Sequence, residues 1–131
     1  VKITLDTETR SIKQNKLQFL WLNLRSEFCG NSPAEERRYC KMAFGIPILL
    51  VEDEDFSNFY MKALNHLTYE EILQVMEFVP VTSRMNTKQF AKYLTEIDTD
   101  AAKQGLLLPR PIDLYEIAIG RKSASQRRAT Q

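Results

Sequence analysis

Apolar and polar side chains alternate over residues 1–9. Ile3 and Leu5 fall on one face and Lys2, Thr4 and Asp6 on the other, which is the period of a half-buried strand. The period then lengthens. Leu17, Leu20, Trp21, Leu24 and Phe28 recur at helical spacing and predict one inward-facing stripe. Ser11 opens this helix as a capping box with Gln14, pairing two amide donors that the first turn leaves without partners, and Gly30-Asn31 closes it.

Ser32-Pro33-Ala34-Glu35 repeats the start signal, with proline at the first helical position and glutamate at the third. The helix it opens is expected to reach about Phe44, with Gly45 as a left-handed terminator. Residues 46–51 are apolar but contain Pro47, and read as either a buried loop or an edge strand. A third helix is predicted over 53–66, its acids at the positive end of the helix dipole. Thr68-Tyr69-Glu70-Glu71 opens a fourth that ends before Pro80, and residues 81–85 read as extended or irregular. Asn86 caps a long helix to about Gln104, with Phe90, Tyr93, Leu94, Ile97 and Ala101 inward and Gly105 terminating it. A proline-bounded turn at 106–111 and a short helix at 112–119 complete a single domain over residues 1–120. Residues 121–131 hold no large apolar side chain and read as a basic flexible tail. The expected class is α+β, a helix-rich domain with a short N-terminal strand region.

A chain of 131 residues is the length of one domain. It buries roughly two-thirds of its unfolded surface, so it needs neither disulfides nor metal to fold. Cys29 and Cys40, eleven apart and accompanied by the one histidine, His66, match no zinc motif and no secreted framework. They read as two buried free thiols in a reducing cytoplasm. No apolar run approaches the ~18–20 residues that span a bilayer, and the start Val-Lys-Ile-Thr does not resemble a signal peptide. The net charge of +1 conceals a division. Residues 1–51 hold eight bases and five acids, residues 52–77 one base and seven acids, and residues 78–131 nine bases and five acids. Basic flanks around an acidic middle suggest a polyanionic partner for the flanks.

Catalytic patterns are weak. Glu52-Asp53-Glu54-Asp55 lies at a helix start, where consecutive carboxylates diverge instead of converging on one ion, and no calcium-loop spacing surrounds it. His66 has no nucleophile motif beside it, and the four glycines form no phosphate-binding loop. No enzymatic activity, metal or cofactor is expected. The basic positions say more. Arg10 and Lys13 flank a helix start whose amides favour phosphate, and Lys13, Gln14, Lys16, Gln18 and Arg25 fall outside the Leu/Trp stripe. Lys88, Lys92 and Lys103 lie opposite the core face of the long helix, and Arg121, Lys122, Arg127 and Arg128 crowd the tail. With Phe19, Tyr93 and Tyr115 available for stacking, these bases suit a sequence-tolerant nucleic-acid surface.

The order of residues adds a resemblance. A strand followed by Arg10-Ser11-x-x-Gln14-Asn15, an aromatic at Phe19, then Thr82-Ser83-Arg84-Met85 with Phe90, Leu94, Ile97 and Gly105, resembles the phage NinB family over about residues 2–106. NinB, also called Orf in lambdoid phages, is a recombination accessory protein. The resemblance implies an α+β homodimer around a basic groove that binds single-stranded DNA with little sequence preference. It further implies contact with single-stranded-DNA-binding protein and help in loading recombinase onto coated DNA. Arg10, Ser11, Gln14, Asn15, Thr82, Ser83 and Arg84 are the matching polar positions. The candidate nucleic-acid-binding set is thus Arg10, Lys13, Gln14, Asn15, Lys16, Arg84, Lys88, Lys92, Arg121, Lys122, Arg127 and Arg128. Two other functions compete with it. One is a phage structural or interaction protein that turns its acidic middle toward a basic partner; the other is a Mg²⁺-dependent nuclease built on Glu52–Asp55.

Overall fold

The computed structural model describes residues 12–110. Their elements are α1 (Ile12–Cys29), α2 (Pro33–Cys40), a π-helical turn (Lys41–Gly45), α3 (Ile46–Glu52), α4 (Glu54–Ala63), α5 (Tyr69–Val75), a 3-10 turn (Thr82–Arg84) and α6 (Thr87–Lys103). The expected α+β class is therefore corrected: the described residues are essentially all-helical and contain no strand or sheet. The strand expected over 1–9, the Ser11 cap, the helix expected over 112–119 and the basic tail lie outside the described residues.

Local signals account for most helix starts. Ser32 with Glu35, Thr68 with Glu71, and Asn86 with Gln89 each form a complete capping box, and the Asp53 side chain accepts the Phe56 amide to start α4. Gly30 and Gly105 end α1 and α6 with φ of 81° and 95°, a region that costs a residue with a Cβ more than it costs glycine.

Gly45 behaves otherwise than expected. Its φ of −79° is right-handed helical, and the chain continues through it from α2 into α3. The π turn, in which the Ile46 amide reaches the Lys41 carbonyl, falls just ahead of Pro47. Proline has no amide proton, and its ring crowds the carbonyl four residues back, so a widened turn there lets the helix continue. Residues 46–52 are thus neither loop nor strand: Ile46 and Leu49, three apart, turn inward together. The glycine serves close approach. A Cβ on Gly45 would lie 2.6 Å from Val81 Cγ1, and Val81 is fully buried beneath it.

α1 is rotated from its expected setting. Its buried set is Gln14, Leu17, Gln18, Trp21, Leu22, Arg25 and Ser26, a continuous face at steps of three and four. Leu20 and Leu24 are only partly covered and Phe28 is 51% exposed, so the stripe drawn from apolar residues alone points partly toward solvent. The face turns because two of its polar members, Gln14 and Arg25, find partners on other helices. α1 packs on α2 and α6, and α3 packs on α4 and α6. Leu17, Trp21, Phe90, Tyr93, Leu94 and Ile97 are fully buried between these helices. The Trp21 indole N–H donates to the Pro109 carbonyl at 2.7 Å, tying the segment after α6 back to α1.

Candidate nucleic-acid interface

The starts of the two longest helices meet. The Gln14 side chain, 2% exposed, donates to the Thr87 carbonyl at 2.8 Å. The first turn of α1 therefore lies against the first turn of α6, residues 73 positions apart in sequence. The Thr82–Arg84 turn immediately precedes that point, so the Gln14-Asn15 and Thr82-Ser83-Arg84 stretches are brought to one end of the bundle.

Of the described candidates Asn15 is half-buried, and the others divide into open bases, bases paired with acids, and the buried Gln14. Lys13, Lys16 and Lys88 are exposed and make no ion pair among the described residues. Phe19, 52% exposed, stands one turn beyond Lys16 and Asn15 on α1. Arg84 and Lys92 are instead occupied by acids. Arg84 holds Asp53 through two nitrogens, Nε to Oδ2 at 2.9 Å and Nη2 to Oδ1 at 3.0 Å, and Lys92 pairs with Glu52. Gln14, unlike these bases, is buried and spends its amide nitrogen on the Thr87 carbonyl. Arg10, Arg121, Lys122, Arg127 and Arg128 lie outside the described residues.

The acidic run is consumed in the same arrangement. Burial alone would raise the Asp53 carboxyl, but the Phe56 amide and the Arg84 guanidinium outweigh it and hold the group below its ordinary range. The hydrogen bond from Lys92 lowers Glu52, with Gln89 and the Lys88 charge adding to the effect. Two of the four carboxylates of Glu52–Asp55 are therefore committed to structural partners. Among the described residues no group of three or more His, Cys, Asp or Glu side chains is placed to hold a metal ion.

Several side chains are used differently from the sequence expectation. Tyr93 is fully buried and stacks on Phe90 with centroids 5.4 Å apart, so it offers no platform for a base. Tyr115 lies outside the described residues. Cys40 is buried as expected, whereas Cys29 is exposed. Arg25, read as a surface base, is the largest departure: it is 2% exposed and bound to Glu36, Asp100 and the Ile97 carbonyl. Its position seven residues after Gln18 and four after Trp21 was the available signal, because that spacing sets it on the buried face. Among the described residues no helix is long and apolar enough to cross a membrane.

No family model matches the chain, and no curated protein or solved structure matches it.

Proposed function

We propose that this chain binds single-stranded DNA without sequence preference and without catalysis, through the end of the bundle where α1 and α6 begin. What supports this is the bond from Gln14 to Thr87, which sets the start of α1, with exposed Lys13 and Lys16 and, a turn on, Phe19, against the start of α6, with exposed Lys88. Ammonium groups neutralise phosphates and an exposed ring stacks a base, and neither reads sequence. The role of recombination mediator, with single-stranded-DNA-binding protein and recombinase as partners and a cytoplasmic homodimer as the working state, comes from the resemblance of the two polar stretches to NinB proteins.

The test is anisotropy of a labelled oligonucleotide, single- and double-stranded, titrated across ~50 to ~200 mM salt. Affinity for the single strand should fall steeply over that range. Replacing Lys13, Lys16 and Lys88 together by alanine should flatten the salt slope by roughly 0.7 for each phosphate no longer neutralised. Phe19→Ala should cost about 1–3 kcal/mol of binding if one base stacks on it. Absence of binding at low salt, or a triple variant that binds as the parent does, overturns the assignment.

A second reading, a protein-interaction surface in the acidic middle, is favoured by one observation. Phe59, Met61, Tyr69 and Phe78 are all exposed within or beside the acidic segment, and Phe78 is 84% exposed. Retention of a basic protein partner by a chain that binds no DNA would select it.

A further inference from the structure

At the opposite end of α1 from Lys13 and Lys16 lies a cleft of about 550 Å³, within the size range of small-ligand sites. Arg25 is roughly 18 Å along the helix axis from Lys13, so the cleft is separate from the basic edge. Its walls come from the C-terminal ends of α1 and α6 and from one side of α2 and of α5, and include Arg25, Cys29, Glu36, Tyr39, Glu70 and Gln104.

Carboxylates outnumber cations around this cleft. At its floor Arg25 is shared by two carboxylates, Glu36 at 2.8 Å and Asp100 at 3.1 Å, which leaves the buried network one negative charge in excess. The other cation in the wall, Arg38, is already paired with Glu77 at 3.0 Å. The Glu70 side chain makes no ion pair among the described residues and adds a carboxylate in the first turn of α5. The two longest helices both end here with the negative ends of their dipoles, α1 without a basic residue in its last turn and α6 with Lys103, while the first turns of α2 and α5 bring positive ends beside Glu35, Glu36 and Glu70. Neighbouring groups respond to the same field. Burial raises the Cys29 thiol and the Tyr39 phenol, and the charge of Glu36 on the first and of Asp100 on the second adds to the rise.

The walls also suit a planar donor. Tyr39 is half-buried and lines the cleft, its ring edge-on to Phe44 at 6.0 Å, while Phe44 in turn covers the Arg25 guanidinium at 5.9 Å. Asn31 and Gln104 donate their amide nitrogens to Glu36 and Asp100, which leaves the Asn31 amide oxygen as an acceptor, and Gln74 adds a further amide to the wall. An aromatic face, fixed carboxylates and amide acceptors are what a guanidinium uses, through stacking and several N–H donors held in one plane.

We propose that this cleft is a binding site for an organic cation of the alkylguanidinium class, such as the arginine side chain of a partner protein. A small anion is disfavoured because the Arg25 charge at the floor is already overcompensated.

The experiment follows backbone amide shifts of the ¹⁵N-labelled full chain titrated at low salt with L-argininamide, and separately with inorganic phosphate and an arginine-containing peptide. Argininamide should shift the amides of Tyr39, Gln74 and Gln104 saturably at millimolar concentration, where phosphate does not. Glu70→Gln should weaken this binding about fivefold, the scale of one exposed ion pair, with unchanged thermal stability. A peptide that binds more tightly than argininamide indicates a protein source for the cation, and equal affinity indicates a free small cation. No shift with argininamide, an equal response in the Glu70→Gln variant, or shifts with phosphate alone would overturn the proposal. Because the readout is confined to the cleft, its failure is distinct from failure of DNA binding at the other end of α1.

Discussion

Arg25 of α1 donates from Nε to Oε2 of Glu36 of α2 at 2.8 Å, with both side chains 2% exposed. A charge so far from water is tolerable only while it is paired and hydrogen-bonded, and Arg25 meets this with three acceptors on α2 and α6. The pair thereby joins three helices through one guanidinium. Arg25→Ala is expected to cost about 3–5 kcal/mol in urea unfolding, because it leaves Glu36 buried beside no cation. Lysine should not restore the loss, since one ammonium cannot span the same acceptors in the planar geometry. A loss well under ~1 kcal/mol would mean that water reaches the pair.

Two effects of opposite sign meet at Gly45. Alanine in a helix is better than glycine by about 1 kcal/mol, so propensity alone favours Gly45→Ala. The added methyl, however, would lie 2.6 Å from Val81 Cγ1, on a β-branched and buried side chain with little freedom to turn away. Overpacking of this kind costs about 1–3 kcal/mol, and the net expectation is a destabilised protein with a lower melting temperature. An unchanged or raised melting temperature would show that Val81 yields easily.

If single-stranded DNA is the ligand, Asp53 competes with its phosphates for Arg84. The Asp53→Asn variant keeps the helix cap, since asparagine accepts an amide as well as aspartate does, but it releases the guanidinium from its charged partner. Single-stranded DNA should then bind more tightly, and the salt slope should steepen by about 0.7 if Arg84 gains one phosphate. Anisotropy titrations at several salt concentrations would read this directly, and a weaker-binding variant would place Arg84 outside the interface.

Acid should weaken the fold through the same groups. Asp53 and Glu52 both have carboxyls depressed below the ordinary range in the folded chain, so each contributes stability that is present above its unfolded value. That contribution is lost as pH falls through the depressed folded value, below the ordinary carboxylate range of about 4. Unfolding midpoints measured at falling pH should decline over that window in the parent. They should decline less in a Glu52→Gln/Asp53→Asn variant.

The two thiols should separate kinetically. Cys40 is buried and its thiol is pushed up to about 12, chiefly by burial and in part by Glu36, against the opposing charge of Arg25. Cys29 is exposed. A thiol reagent at mild alkaline pH should therefore titrate one group promptly in the native protein and the second only on unfolding, because the thiolate is the reacting form. Two fast thiols would show that the end of α2 opens readily.

What the sequence determined by itself was local. Ser32, Thr68 and Asn86 with their partners three residues on, Asp53 as a cap, and Gly30 and Gly105 as terminators all act through atoms a few residues apart, so their chemistry is readable without the fold. The inward face of α6 was equally legible, because its apolar residues alone mark it. Tertiary structure decided the rest. The setting of α1 depended on whether Gln14 and Arg25 would find partners, and those partners sit on α2 and α6, out of reach of any local pattern. Helical packing across the Pro47 segment overrode its strand-like composition, and the all-α class of the described residues followed. For the candidate site, the sequence supplied the bases, but only the fold selected among them. Among the described residues it leaves Lys13, Lys16 and Lys88 without an ion pair and gives Arg84 and Lys92 to acids more than thirty residues away, because charge pairing acts through space and not along the chain.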